Sequence, residues 1–310
     1  MINYSKFVEN SRKWLKKYIQ DNHLQSIVIG ISGGIDSTVS CAIASPVCEK
    51  LNIPLIGRSL PCMTNKECEL HTANLVGNAF CTNYKECNIQ LMYETCLDEL
   101  QLYEGQINDL QKGNIKARLR MIYLYNLAHI HKGVVLDNDN FTEWNLGFWT
   151  VGGDSPMDIN LGLHYLWKTE IYELANYLVD DFRLTLMGCG NSPEEEVTYS
   201  LQLRAILKSI NLTPTDGNGV SNSDCEQFGL DNYEQVDDVL KTMYYNKGYS
   251  IMIHNDKIMD KTSEFLDKEY IRLVDSYNKQ GVDKVMMLHQ NTVYKRKELP
   301  IKPTKEELGL

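Results

Sequence analysis

The sequence predicts an α/β fold in which a parallel β-sheet is flanked by helices, with helical additions towards the C-terminus. Three observations carry that expectation. A short β-branched run, Ser26-Ile-Val-Ile-Gly-Ile31, leads at once into a glycine turn and then into a helical stretch. The alternation of apolar run and helical pattern then repeats as far as Leu136, and repeated β-α units need right-handed crossovers and a parallel sheet. With 310 residues, 43% of them hydrophobic, the chain can bury the core such a domain needs.

The elements follow in order. Residues 5–22 read as an amphipathic helix, with Phe7, Trp14, Leu15 and Tyr18 set among Lys and Arg. The first strand covers 26–31 and the helix after its glycine turn reaches Ala44. A second apolar run, Ile53 to Leu60, stops at Pro61. A helix over 67–79, a strand over 84–89, a helix over 91–104 and a strong helix over 115–131 lead into the fourth strand, Gly133-Val-Val-Leu136. Beyond Asp137 the pattern loosens, and Lys168 to Leu178 is the last clear helix of this part. Residues 194–210 read as helix, Pro214 to Asp224 as a mobile loop rich in Gly, Asn and Ser. Helices resume at Tyr233 and over Lys261 to Lys279, and the basic, proline-containing end is extended before a short acidic finish. No internal repeat or low-complexity linker divides the chain, so 1–310 is expected to be a single domain, with 213–228 as a flexible lid loop.

Composition excludes several classes. No run approaches the roughly 18 apolar residues of a membrane span, and the first residues lack the apolar stretch of a secretory signal, so the expected location is cytoplasmic with no membrane partner. Nine cysteines without a C-x-x-C pair or a His partner at zinc spacing read as free, mostly buried thiols. A formal net charge of −10 argues against a nucleic-acid partner, because phosphate tracking needs a basic surface. A small anionic ligand held by a few local cations remains compatible with it.

The chemistry centres on Ser32-Gly33-Gly34-Ile35-Asp36-Ser37, placed at the C-terminal edge of the first strand, where it opens a helix. Two glycines let backbone N–H groups turn inward, the helix adds its positive end, and Ser32, Ser37 and Thr38 supply further donors, so a phosphate is favoured there. The string is neither a Walker loop nor a dinucleotide G-x-G-x-x-G. Asp36 would repel a phosphate unless a divalent cation such as Mg²⁺ intervened. A serine-capped glycine turn without any ligand is the plain alternative. Lys116, Arg118 and Arg120 place three cations within five residues; on a helical period Lys116 and Arg120 share a face while Arg118 points elsewhere. Glu143, read as part of a polar loop over 137–143, could join Asp36 at a metal or be an ordinary solvated carboxylate.

The six-residue string resembles the pyrophosphate loop (PP-loop) of the N-type ATP pyrophosphatases. A longer set of matches is more specific: Lys112-Gly-Asn-Ile-Lys-Ala-Arg118, Leu119-Arg-Met121, Glu143, Gly147-Phe148, Gly153-Asp154, Asp158-Ile159, Lys168, the segment Asp224 to Leu240, and Lys295-Arg296 with Pro300. Over about 5–180 and 213–303 the chain resembles the ammonia-dependent NAD synthetases. The resemblance implies a Rossmann-like, adenine nucleotide α-hydrolase-like fold and a C–N bond-forming ligase of NAD biosynthesis. It implies ATP and Mg²⁺ as cofactors, nicotinic acid adenine dinucleotide and ammonia as substrates, and a homodimer. By resemblance, Asp36 and Lys168 are catalytic, and Gly30, Ser32, Gly33, Gly34, Asp36, Ser37, Arg58, Lys168 and Lys295 bind ATP. Asn114, Arg118, Arg120, Asp154 and Asp158 then bind the acid substrate, and Asp36 and Glu143 the metal. No amidase segment precedes residue 26, which points to free ammonia as the nitrogen donor. The family's pattern is broken at four places: Asp137-Asn138 replace Gly-Thr, Val151-Gly152 stand where a Lys is usual, Tyr294 replaces a His, and Leu110 an aromatic residue. Losing a glycine at 137 places a carboxylate where the triphosphate is expected. The stretches 181–212 and 245–288 are longer than usual. Another carboxylate acceptor for the same ATP chemistry, or a binding protein without turnover, are the competing expectations.

Overall fold

A five-stranded, all-parallel sheet in the order β3-β2-β1-β4-β5 forms the centre of the structure, with β1 (Ser26–Gly30) in the middle. The computed structural model describes residues 2–63, 65–188, 192–215, 223–245, 263–296 and 300–310, and only the backbone at 245 and 263–267. β2 (Leu55–Ser59) and β4 (Gly133–Asp137) pair with β1, aligning Val28 with Ile56 on one side and Val135 on the other. β3 (Asn83–Glu86) and the two-residue β5 (Ile159–Asn160) close the edges. A strand covered on both faces has no polar side to show, which is why β1 reads as a continuous apolar run.

The pleat divides that run between two cores. Ile27 and Ile29 enter a cluster with α1 (Tyr4–Asp21), α2 (Ile35–Lys50), α3 (Glu67–Phe80), α7 (Lys168–Met187) and α8 (Pro193–Ile210). Val28 faces the other way, into a cluster with α4 (Gln90–Glu104) and α5 (Asp109–Ile130). Between Ser37 and Cys48 α2 is apolar or small all round, as a helix covered on most sides must be, and eleven of its residues are buried. A third cluster lies outside the sheet. There Leu146 of α6 (Phe141–Leu146) and Trp167 pack with α9 (Asp224–Phe228), α10 (Tyr233–Tyr245), α11 (Ser263–Ser276) and α12 (Lys279–Asn291).

The structure differs from the sequence reading most clearly in four places, besides an earlier start of α5 at Asp109 and a helix at 224–228. Residues 141–146 form α6 rather than a loop: Asn140 accepts from Glu143 N (3.0 Å) and Glu143 returns a bond from Asn140 N, and this reciprocal cap starts a helix too short for its period to show. β5 has two residues, below the length at which strand alternation is visible. The final helical region is two helices, because Asn278 caps a new one, its side chain accepting from Gly281 N (2.7 Å). The extended end joins the sheet: Ile301 N donates to Asp158 O (3.0 Å) and Asn160 N to Ile301 O (2.9 Å), after which α13 (Lys305–Leu308) buries Leu308 against α1. Of the long stretch 181–212, α8 packs across α2, α3 and α7, and its Ser209 hydroxyl meets Thr38 Oγ1 at 2.7 Å. In the expected lid, residues 216–222 lie outside the described residues; Asp224 N donates to Pro214 O (3.0 Å), joining the two flanks.

Asp137 also departs from expectation. Its carboxylate turns into the protein, fully buried, and accepts from Met157 N (2.8 Å), Asp139 N (3.0 Å), the Asn160 amide (3.1 Å) and the Ser155 hydroxyl (3.2 Å), with His164 Nε2 at 3.2 Å. Burial works against its charge, but His164 and these donors outweigh it and hold Asp137 below the usual carboxylate range. A carboxylate with a lowered folded pKa contributes stability above its unfolded value of about 3.9, and that contribution is lost as pH falls through the folded pKa. Asp137→Asn is therefore expected to lower stability by roughly 1–3 kcal/mol at pH 6, measured by urea unfolding, with the deficit shrinking below about pH 4. A deficit independent of pH would contradict the charged network.

Candidate functional site

β1 leads to β2 on one side of the sheet and β4 to β5 on the other, so the loops after β1 and β4 diverge and leave a crevice between them. Open α/β sheets bind ligands at such a switch point. A cleft of about 890 Å³ lies there.

The phosphate loop forms its floor. Gly33 sits at φ +85°, a conformation that L side chains rarely adopt, and a Cβ there would lie 2.7 Å from Glu69 O and 2.8 Å from Ala73 N. Close packing on α3 thus fixes the turn. Gly34 is the N-cap of α2 and brings no side chain to the helix end. The first-turn N–H groups meet no capping side chain, which is the arrangement an anion uses. Ser32 Oγ accepts from Gly34 N (3.1 Å) and lies 3.2 Å from Ser37 Oγ.

Three helices then converge on one cation. Lys168 opens α7, and its Nζ donates to Asp36 Oδ2 of α2 (2.5 Å) and to Glu143 Oε1 of α6 (2.9 Å). Asn140 Nδ2 donates to Asp36 Oδ1 (2.8 Å), and Tyr233 places its ring 5.3 Å from the ammonium. The Lys168 side chain is 4% exposed, and those of Asp36 and Glu143 are 15% exposed. Burial alone would discharge the lysine; the Asp36 and Glu143 charges outweigh it and hold Lys168 well above its ordinary value. Glu143 is pushed up to about 7 by burial, offset in part by Lys168 and reinforced by Asp36. The pair is hard oxygen chemistry with a cation already between its members, so the donor set fits Mg²⁺. No group of three or more His, Cys, Asp or Glu among the described residues could hold a metal, so phosphate oxygens and water would have to complete the shell.

The remaining wall comes from α5 and the segment after α6. Arg118 Nη2 donates to Val151 O (3.2 Å), and Thr150 donates through its hydroxyl to Asn114 Oδ1 (2.8 Å) and through its N–H to Asp154 Oδ1 (2.6 Å). Arg120 braces the loop after β2, donating to Leu60 O (3.1 Å) and Asn65 Oδ1 (3.4 Å). Lys116, expected to share a face with Arg120, is buried with its ammonium 5.2 Å from the Tyr93 ring centre. Lys295 donates to Gly147 O (2.6 Å) and Trp149 O (2.5 Å) and lies over the Trp149 ring.

Gly30, Ser32, Gly34, Asp36, Ser37, Arg58, Asn114, Arg118, Arg120, Glu143, Asp154, Lys168 and Lys295 all line the one cleft. Gly33 is not in the lining and packs on α3 instead. Asp158 is not in the lining: its Oδ2 accepts from Val135 N (2.9 Å) and so ties the β4–β5 edge. Arg58 is mostly engaged within the protein, donating to Gly57 O, Asn83 O and Asn83 Oδ1. His289 is held away from the cleft lining by Asn145 O (2.9 Å). Sequence reasoning missed Asn140, Asp139, Trp149, Tyr172 and Gln227, which also contribute; the Asn140-x-x-Glu143 cap was a readable signal for the first.

Residues 7–299 match the profile of a family described as NAD synthase. An NH(3)-dependent NAD(+) synthetase of Thermoplasma volcanium is 31% identical over 245 residues, which are 79% of this chain and 86% of that protein. One from Thermoplasma acidophilum is 28% identical, over 85% of this chain and 94% of the relative. Two solved structures share the fold: an NMN synthetase from Francisella tularensis (TM-score 0.68, 23% identity, 98% and 100% of the two chains) and an NH3-dependent NAD synthetase from Campylobacter jejuni (TM-score 0.61, 20% identity, 97% and 99%).

Gly33→Ala tests the loop's packing. Left-handed strain and the clash with α3 together are expected to cost roughly 2–5 kcal/mol, read as a fall in Tm by calorimetry. An unchanged Tm would mean that the turn is not fixed by α3.

Proposed function

The chain belongs to the NAD synthase family, and from that premise we propose that it is an ATP-dependent ligase that amidates nicotinic acid adenine dinucleotide with ammonia, giving NAD, AMP and pyrophosphate through an adenylated carboxylate. The observation that carries this reading is Lys168 between Asp36 and Glu143 beside an uncapped phosphate loop, in a cleft shared with Arg118 and Arg120.

The loop N–H groups and the hydroxyls of Ser32 and Ser37 would hold ATP phosphates, and Lys168 and Lys295 would balance their charge. Asp36 and Glu143 would hold Mg²⁺, which when bound neutralises charge on the departing pyrophosphate. Asn114, Arg118 and Asp154 would orient the nicotinate so that a carboxylate oxygen faces the α-phosphorus; that oxygen forms the new P–O bond as pyrophosphate leaves. Ammonia then attacks the carbonyl carbon, loses a proton, and AMP departs. Most of the protein's work is thus positioning and charge placement.

Of the expected lid 213–228, residues 224–228 are α9, whose Phe228 is buried in the third cluster, so in this reading the segment 213–223 keeps water from the adenylate. Its near flank is tied down, since Thr215 Oγ1 donates to Glu69 Oε1 (2.5 Å). A homodimer across α4 and α5 would cover Leu102, Tyr103, Ile122 and Ile130, all exposed. A cytoplasmic setting is consistent with the described helices, none of which is long and apolar enough to cross a membrane.

The test is turnover of ATP, Mg²⁺, ammonium and nicotinic acid adenine dinucleotide, following NAD, AMP and pyrophosphate together. Equal amounts of all three are expected, falling at least roughly 100-fold in Asp36→Asn. A parallel arm uses nicotinic acid mononucleotide, because one protein of this fold is an NMN synthetase. Turnover only in that arm would replace the acceptor. Nucleotide binding without pyrophosphate in either arm would overturn the enzyme reading in favour of a binding protein.

A further inference from the structure

Asp237, on α10 of the C-terminal helical cluster, is 1% exposed and lies outside the residues that line the cleft. Burying a carboxylate is unfavourable unless donors meet it. Its Oδ1 accepts from the Thr142 hydroxyl (2.5 Å) and its Oδ2 from Thr169 N (2.9 Å). Thr142 Oγ1 in turn accepts from Lys168 N (2.8 Å). Thr142 precedes Glu143 in the chain and Thr169 follows Lys168. One carboxylate therefore grips the neighbour of each of the two groups that form the 2.9 Å Lys168–Glu143 pair.

We propose that Asp237 is a positioning residue for the reacting centre: through Thr142 and Thr169 it sets the spacing of Glu143 and Lys168, so that docking of the C-terminal helices completes the site. The geometry favours this over simple helix capping. A cap on α7 needs only the bond from Thr169 N, whereas the bond to Thr142 carries the same carboxylate across to α6. The six-residue α6 and the start of α7, which deliver Glu143 and Lys168, otherwise meet through few contacts, and small displacements of reacting groups have large effects on rate.

The inference rests on the proposed ligase activity only for its turnover readout. Thr142→Val removes the hydroxyl while keeping the shape, Thr142→Ser keeps the hydroxyl, and Asp237→Asn removes the charge and one acceptor. Thr142→Val and Asp237→Asn are each expected to lower kcat for pyrophosphate release by roughly tenfold or more, the loss of a hydrogen bond to a charged group, with KM for ATP changed less than about threefold. Thr142→Ser should stay within about twofold of wild type, and the double variant Thr142→Val/Asp237→Asn should be no slower than the worse single one. An activity-independent readout is the rate at which acetic anhydride modifies Lys168, measured by mass spectrometry on the intact protein. It should rise roughly tenfold in Thr142→Val and Asp237→Asn but not in Thr142→Ser. A folded Thr142→Val with wild-type kcat and wild-type Lys168 labelling would overturn the proposal, as would equal impairment of the Ser variant. If Asp237→Asn does not fold, the Thr142 pair decides; if wild type releases no pyrophosphate with any acid, the amidation reading fails and the labelling alone decides this one.

Discussion

A buried ammonium shared by two carboxylates is the constraint on which the rest of the structure depends. Lys168, Asp36 and Glu143 come from the first turns of three different helices, and none could be buried alone without a large desolvation penalty. Together they are tolerated, but only if α2, α6 and α7 begin at fixed places. Much of the surrounding architecture does that placing: Gly33 is locked against α3, the Asn140 cap starts α6 and also reaches Asp36, and Thr142 receives the first N–H of α7. A site built on helix ends gains their unmet N–H groups for anion binding, and it needs neighbours to hold those ends still.

The departures from the family's pattern fall into two physical kinds. Asp137 is absorbed into the protein, where it organises residues 155–160 with His164 and Asn160, so the carboxylate replacing a glycine does not face the phosphate loop. Val151 and Tyr294 stay at the cleft, where Val151 offers a backbone carbonyl to Arg118 and Tyr294 neighbours Lys295. Val151 and Tyr294 belong to the wall of the cleft, whereas Asp137 bears on how firmly the cleft is built.

The β1–loop–α2 unit was legible because three signals agree there: a β-branched run, a glycine turn and the onset of a helix. The α5 cations were legible as a group, but periodicity could not divide their labour. Arg118 faces the cleft, Arg120 braces a neighbouring loop and Lys116 is buried over Tyr93, differences set by packing between elements far apart in sequence. Glu143 was found as a residue and missed as a helix, since six residues give too little periodicity to see. Asp158 carries the right chemistry for a substrate ligand, yet it serves the strand edge, and only the pairing of β4 with β5 reveals that. Asp237 stands in the matched segment Asp224 to Leu240, but its task was not legible for the same reason: its partners Thr169 and Thr142 lie 68 and 95 residues away.

The central claim is that Lys168 acts in the chemical step. It is tested most directly by single-turnover rapid quench of saturating protein with radiolabelled ATP and the acid, comparing wild type with Lys168→Met. The account predicts that the folded variant binds ATP more weakly, having lost a cation beside the phosphates, while pyrophosphate formation in the first turnover at saturating ATP slows at least roughly 100-fold. A first turnover of unchanged rate would show that the shared ammonium holds the fold and takes no part in the reaction.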